Sequence, residues 1–421
     1  MRKLFIFGVS LFLILSVLLL VNSCAKEEEE IVLKWPCIWV AKDSKAATVG
    51  ALVDQFNADN AGKIRVEIEP QPDYDGYRDK INAMMAAGQV PDLFIFNPDP
   101  TTFTYYQGDM LMDFTDELKK GGWDSWFVEG TLDASTVDGR TKTIPYELGL
   151  TPIWYNQALL EKAGVDAFPE TFDEFWVMCD KLKAAGIVPT SQMTGGSNAW
   201  TSMLWYSHIL ASIGGPDVWS KPLSDPMYVQ AAEILLRMYS EGNTTRDAVG
   251  GDAGVSGGHF LAGRTAIFIN GPWYIGRVRN DAPDVYPHTG VAPAPKVAGG
   301  TYGGQIGFLL SNLAAANTDD PARRAAVVKF MKWMTTPENV KTISLDAGSL
   351  FCVKLEFSAS DQVDPLQKKF MEASANAAFV VSHLQGNYPV SMINEFGQAL
   401  GKMALGKATP EEFVQMLDAA R

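Results

Sequence analysis

Residues 64–96 read IRVEIEPQPDYDGYRDKINAMMAAGQVPDLFIF, and this stretch decides the fold. Ile64 to Ile68 alternates apolar and polar residues, as a half-buried strand does. Tyr77 to Ala87 then sets Ile81, Met84 and Met85 on one helical face and stops at Gly88, a residue suited to closing a helix. Asp92-Leu93-Phe94-Ile95-Phe96 follows as a buried strand reached through Pro91. Working outward, Ile31 to Val40 predicts an earlier strand, and Thr48 to Asn57 a helix whose stripe is Val49, Leu52, Val53 and Phe56. Downstream, helices are expected over 172–185, closed by Gly186, and over 229–239, with a short strand over 265–270. Amphipathic helices over 322–335 and 410–420 each open at a proline. Strands alternating with helices predict an α/β architecture with largely parallel sheets.

The N-terminus carries a different message. Arg2-Lys3 precedes an apolar run from Leu4 to Val21 that ends at Asn22-Ser23-Cys24. A charged start, an apolar stretch and a small residue before cysteine read as an export signal over residues 1–23. Val21-Asn22-Ser23-Cys24 resembles the bacterial lipobox, although Asn22 departs from the small or apolar residue usual there; the expectation is an acylated Cys24. Residues 24–30, with Glu27 to Glu30 in a row, repel themselves into an extended acidic tether. Together these features imply a protein of the cell envelope, outside the cytoplasm and anchored to the membrane by lipid.

About 390 residues remain, too many for one hydrophobic core, so two domains are expected. The formal charge of −14 and the lack of a Lys/Arg-rich stretch speak against nucleic acid as a partner. Cys37, Cys179 and Cys352 are odd in number and widely spaced, which gives no disulfide framework and no metal spacing. The histidines, His208, His259, His288 and His383, show no metal-ligand spacing either and read as structural. No phosphate-cradling glycine loop precedes a lysine, so ATP hydrolysis would belong to a partner, and no cofactor is expected.

Four motifs in order carry a family resemblance. They are Gly88-Gln89-Val90-Pro91-Asp92-Leu93, then Ile144-Pro145-Tyr146-Glu147 followed by Tyr155-Asn156, then Phe168-Pro169-Glu170-Thr171-Phe172-Asp173-Glu174-Phe175. Last comes Phe260-Leu261-Ala262-Gly263-Arg264-Thr265-Ala266, leading into Asn270-Gly271-Pro272-Trp273. Across residues 31–421 the chain resembles the family 1 extracellular solute-binding proteins, the maltose-binding-protein-like capture subunits of ATP-driven (ABC) importers. The resemblance implies a type II periplasmic-binding-protein-like fold, two α/β lobes with the ligand cleft between them. The expected division is an N-terminal lobe of 31–146 plus 304–347 and a C-terminal lobe of 147–303 plus 348–421. It also implies a carbohydrate ligand, transmembrane permease subunits as partners, and a monomer.

A sugar offers hydroxyls at its rim and C–H groups on its faces, so carboxylates and flat aromatic rings suit it. Asp99 falls just past the strand ending at Phe96, at the carboxyl end of a sheet where open α/β folds bind ligands. The resemblance implies ligand contacts for Phe96 and Asp99, for Glu147 and for Trp273 as a stacking ring. It extends, on looser spacing, to Trp200, Trp39 with Asp43, and the backbone at Gly304. Each has a bland alternative: a solvated loop aspartate, a hinge glutamate, a core tryptophan, a hinge glycine. Where the family places a further stacking tryptophan near the C-terminus, this chain has Met392-Ile393-Asn394, which puts maltose itself in doubt.

The rival reading is a secreted lipoprotein enzyme acting on glycans, with Asp99 and Glu147 as its two carboxyls. Another is capture of a non-sugar solute such as a glycerophosphodiester, which would want clustered cations. Gly254-Val255-Ser256-Gly257-Gly258 matches a nucleophile-elbow pattern, but no apolar strand precedes it, and a non-enzymatic loop is expected.

Overall fold

The computed structural model describes residues 29–71, 73–96, 108–196 and 199–421. Cys24, the apolar leader and Asp99 lie outside the described residues. Glu30 does not behave as part of a free tether: it accepts from Arg65 at 3.0 Å and is anchored to the start of the fold.

The opening unit is as the sequence suggests. Strand β1 (Ile31–Cys37) buries Leu33, Trp35 and Cys37, and pairs in parallel with β2 (Ile64–Pro70), Ile31 opposite Ile64. Helix Ala46–Asp59 connects them and buries Val49, Leu52, Val53 and Phe56, the stripe expected from their spacing. Helix Tyr74–Ala86 follows, capped by Asp73, whose carboxylate accepts from Gly76 N. It leads to β3 (Phe94–Phe96), which lies beside β1 through a bond from Leu93 N to the Lys34 carbonyl. The Pro91-Asp92 motif is structural here: Asp92 accepts from Lys34 N and pairs with Arg323, tying β1, β3 and helix Pro321–Met334 together.

A small hairpin, β4 (Thr136–Val137) and β5 (Arg140–Thr141), precedes the strand that matters most, β6 (Ile144–Leu150). The chain then builds a second lobe on β7 (Ile153–Asn156), flanked antiparallel by β8 (Ile267–Ile269) and β9 (Thr289–Ala292). Helices Phe172–Ala184, Trp200–Gly214 and Pro226–Ser240 cover it, joined later by Val390–Ala404 and Pro410–Ala419. The Pro-x-Thr-aromatic-Asp-Glu motif is a capping box: Thr171 accepts from Glu174 N, and the Glu174 carboxylate accepts from Thr171 N at 3.1 Å.

The hydrophobic cores are separate. One gathers Trp35, Phe56, Phe94, Tyr146, Leu313, Phe330 and Phe351. Another gathers Phe175, Trp205, Tyr206, Ile306, Phe396 and Phe413, with a neighbouring cluster around Trp154, Phe260, Tyr274 and Phe370. Three strands pass between them side by side. They are β6, β10 (Gly304–Ala314) and β11 (Leu350–Phe351), with β6 central and antiparallel to both. On β10 the second core holds Ile306 and the first holds Leu313, so the residues between them span the gap. A last strand, β12 (Phe379–Val381), pairs in parallel with the start of β10. Two α/β lobes joined by three adjacent strands are therefore established.

Candidate functional site between the lobes

The crossing strands position two chemically distinct groups. Glu147 sits opposite Ser311 on β10, and Gly149 sits opposite Phe308. The polar group forms around Glu147, and the aromatic group forms around Phe308.

In the polar group, Lys45 is 2% exposed and bridges two carboxylates, Glu147 at 3.2 Å and Asp43 at 3.3 Å. Asp43 also accepts from Lys45 N at 2.9 Å, which fixes the turn entering helix Ala46–Asp59. Burial alone pulls the Lys45 ammonium down, but Glu147 and Asp43 outweigh it, and the ammonium is held above its usual value. Burial pushes the Glu147 carboxyl up, while Lys45 and the Ser311 hydroxyl work in the opposite direction. One cation between two carboxylates leaves a net negative site. Asp43 is the partly exposed member, at 28%, and turns that charge toward solvent.

Trp39 underlies this group. Its ring lies 5.3 Å from Tyr146 and 5.8 Å from Trp35, with the Lys45 ammonium 5.8 Å from its centroid. At 1% exposure it is a floor beneath Lys45 and offers no open face in this arrangement. Phe96 is likewise in the first core, packed on Phe94. Gly304 begins β10, where a Cβ would meet the Phe379 ring at 2.5 Å, so side-chain packing accounts for that glycine.

The aromatic group consists of Trp200, Trp273, Phe308 and His383. Phe308 lies 4.1 Å from His383, 6.1 Å from Trp200 and 6.5 Å from Trp273, and Trp200 lies 5.3 Å from His383. The three larger rings are only half-buried. Local backbone explains their poses. A Cβ at Gly271 would fall 2.0 Å from the Trp273 indole, so only glycine lets that ring fold back over its own turn. Gly149 does the same for Phe308, whose ring is 2.7 Å from the position of a Cβ. The Asn270-Gly271-Pro272-Trp273 turn is held by Asn270, which accepts from Gly271 N and whose carbonyl takes the Trp154 indole N–H at 2.8 Å.

The two groups meet across the gap. Ser44, next to Asp43, donates to the Trp273 carbonyl at 3.2 Å, so the loop after β1 touches the loop after β8. Of the expected residues, the structure thus brings Asp43, Glu147, Trp39 and Trp273 into one neighbourhood and links Trp200 to it through Phe308. Lys45, Phe308 and His383 were missed from sequence. Lys45 had a signal, a cation two residues past Asp43 at a helix start; Phe308 needed the strand register, and His383 had none.

The Asp99–Glu147 pair of the glycan-hydrolase alternative lies partly outside the described residues, and the nucleophile-elbow serine is in a helix. Ser256 is inside helix Ala253–Leu261, fully buried, with its hydroxyl given to the Ser191 carbonyl. His259 on the same helix pairs with Asp247. Cys37, Cys179 and Cys352 are buried free thiols. Met392 and Ile393 are core residues of helix Val390–Ala404, consistent with the absence of a stacking ring there.

Comparison with known proteins gives this geometry a lineage. A 31% identical relative, described as a probable sugar-binding periplasmic protein of Mesorhizobium japonicum, aligns over 34% of this chain and 34% of its own length. A maltotriose-binding protein of Pyrococcus abyssi is 26% identical over 68% of this chain and 59% of its own. The chain spans between a third and three fifths of the length of the curated relatives it first matches. Among solved structures, a chitin oligosaccharide binding protein superposes with a TM-score of 0.85 at 22% identity, covering 93% of this chain and 98% of that one. Maltose-bound MalE3 of T. maritima gives 0.77 at 20% identity, covering 92% and 98%. Residues 42–341 match the family model for bacterial extracellular solute-binding proteins, and the chain belongs to that family.

Proposed function

We propose that this chain captures a carbohydrate between its lobes, outside the cytoplasm, and delivers it to the permease subunits of an ABC importer. One observation carries the reading: adjacent strands β6 and β10 hold a carboxylate-rich group and an aromatic group side by side in the gap between the two cores. That pairing suits a ligand with hydroxyls at its rim and apolar faces. Relatives described as binding maltotriose, diacetylchitobiose and raffinose lend it support. Asp43 takes hydroxyls directly, Lys45 and Glu147 hold it in place, and Trp273 and Trp200 stack on sugar faces. Phe96, Asp99, Trp39 and Gly304 complete the proposed set, with Trp39 acting through Lys45.

Ligand touching both lobes favours the closed arrangement by its differential affinity, and permease subunits read that closure. Cys24, acylated, would anchor the chain by the acidic segment that follows it. The lobes are taken as 31–146 plus 304–347 and 147–303 plus 348–421, with Ile306 packing in the second core and Phe351 in the first where the strands cross.

A thermal-shift screen against mono- and oligosaccharides, a glycerophosphodiester and a polyamine tests this. A sugar at a hundred times its dissociation constant adds about 2.7 kcal/mol of stability. Recovery of the sugar intact by chromatography is the expected result. Cleavage products would replace capture with glycan hydrolysis, and a shift only with the phosphodiester would replace the sugar.

A further inference from the structure

Segment 382–387 is held unusually firmly for a connection between a strand and a helix. The Trp219 indole donates to the Ser382 carbonyl at 2.8 Å, and Leu384 N donates to Ser207 Oγ at 3.0 Å. Asn387 Nδ2 donates to both Ser382 Oγ and the His383 carbonyl. Within this frame, Gly386 N donates to His383 Nδ1 at 3.1 Å, so that nitrogen must present a lone pair. The proton of the neutral ring therefore sits on Nε2, as a donor. Burial pulls the imidazole down to about 4, which keeps it neutral near pH 7.

Nε2 has no hydrogen-bond partner among the described residues, yet it is not among the sealed, unsatisfied polar atoms. The residue is 6% exposed overall, and that nitrogen is not sealed from solvent. Phe308 and Trp200 pack against the imidazole ring, with Trp273 beyond Phe308. A fixed donor with apolar walls and no charge of its own fits an uncharged acceptor oxygen. A carboxylate or phosphate would lose its water there against a single neutral donor, and an ammonium would find no acceptor.

We propose that His383 is a ligand-contacting residue that donates Nε2–H to an oxygen of the bound saccharide, selecting uncharged sugars over uronates and sugar phosphates. This rests on the saccharide reading above and deepens it. The experiment is calorimetric titration of the purified chain with maltotriose, diacetylchitobiose, raffinose and tagatose, with digalacturonate as the charged probe. The sugar that binds is then titrated into His383→Asn, whose amide oxygen can still cap Gly386 N but cannot reach the ligand. The expected result is roughly five- to tenfold weaker binding with an unliganded melting temperature close to the original, and little binding of digalacturonate by either protein.

Unchanged affinity in His383→Asn overturns the proposal, as does tighter binding of digalacturonate than of any neutral sugar. Should His383→Asn fold poorly, His383→Gln decides, because its amide N–H reaches toward the Nε2 position. Affinity retained by Gln and lost in His383→Phe supports the donor, and equal affinity in all three overturns it. Binding of none of the neutral saccharides by the original chain sinks the saccharide reading itself, and this inference with it.

Discussion

Lys45 is a buried cation with two carboxylate partners. It is buried between Asp43 and Glu147, so removing it leaves Glu147, 2% exposed, without its cation. Lys45→Met should cost about 3–5 kcal/mol by chemical denaturation, and adding Glu147→Gln should recover much of it. A single-variant loss under about 1 kcal/mol would mean the pair is solvated. Trp273→Ala should leave the fold intact and weaken sugar binding by more than about 1 kcal/mol, since stacking and burial are lost together; equal Kd values would remove it from the site. Histidines add a pH signature. His208 and His383 are both lowered from 6.5 to about 4 by burial, so the folded state binds fewer protons than the unfolded chain. Their stabilising contribution is complete above pH 6.5 and is lost as pH falls toward 4, at about 1.4 kcal/mol per unit for each. Thermal melts from pH 7 to 4 should show that slope, and His208→Asn should flatten it.

At the scale of elements, the crossing strands govern the site. Gly149 on β6 leaves room for the Phe308 ring on β10, so Gly149→Ala should dislodge that ring and loosen the cluster it joins. Sugar affinity should fall several-fold in Gly149→Ala and be partly restored by adding Phe308→Leu, measured as a double-mutant cycle. Additive effects would show the two positions to be independent. These strands also mark where sequence reading stopped. Helices such as Ala46–Asp59 and Phe172–Ala184 fell within two residues of their expected bounds, because apolar spacing, Thr171 with Glu174, and closing glycines act locally. The pairing of Phe308 with Gly149, or of Ser311 with Glu147, depends on register between segments far apart in the chain. No local pattern encodes it. Lys45 stands two residues past Asp43 in the sequence, but only the buried pocket between Trp39, Asp43 and Glu147 gives it a role.

For the molecule as a whole, the two cores share three crossing strands, and polar contacts join the lobes beside them. Ser44 meets the Trp273 carbonyl, Arg279 reaches the Asp346 carbonyl, and Gln367 donates to the Ser344 hydroxyl at 2.7 Å. A hinge at the crossing strands exchanges such ties for water and leaves both cores intact. Small-angle scattering should show a smaller radius of gyration with saturating sugar than without; superimposable profiles would refute closure. The two-lobed architecture was foreseeable from motif order, whereas only Trp200 and Trp273 of the aromatic group were, because Phe308 and His383 join it through register and tertiary packing.

The side-by-side passage of β6, β10 and β11 also sets a timetable for synthesis. The first core needs Leu313, Phe330 and Phe351 as well as Trp35 and Phe94. The second needs Phe396, Phe413 and Leu417 as well. Neither half can close while most of the polypeptide is still being made, so the nascent chain stays threadable until residues beyond Phe351 have emerged. A ribosome stalled anywhere before residue 351 would display two unfinished interiors, never one finished lobe.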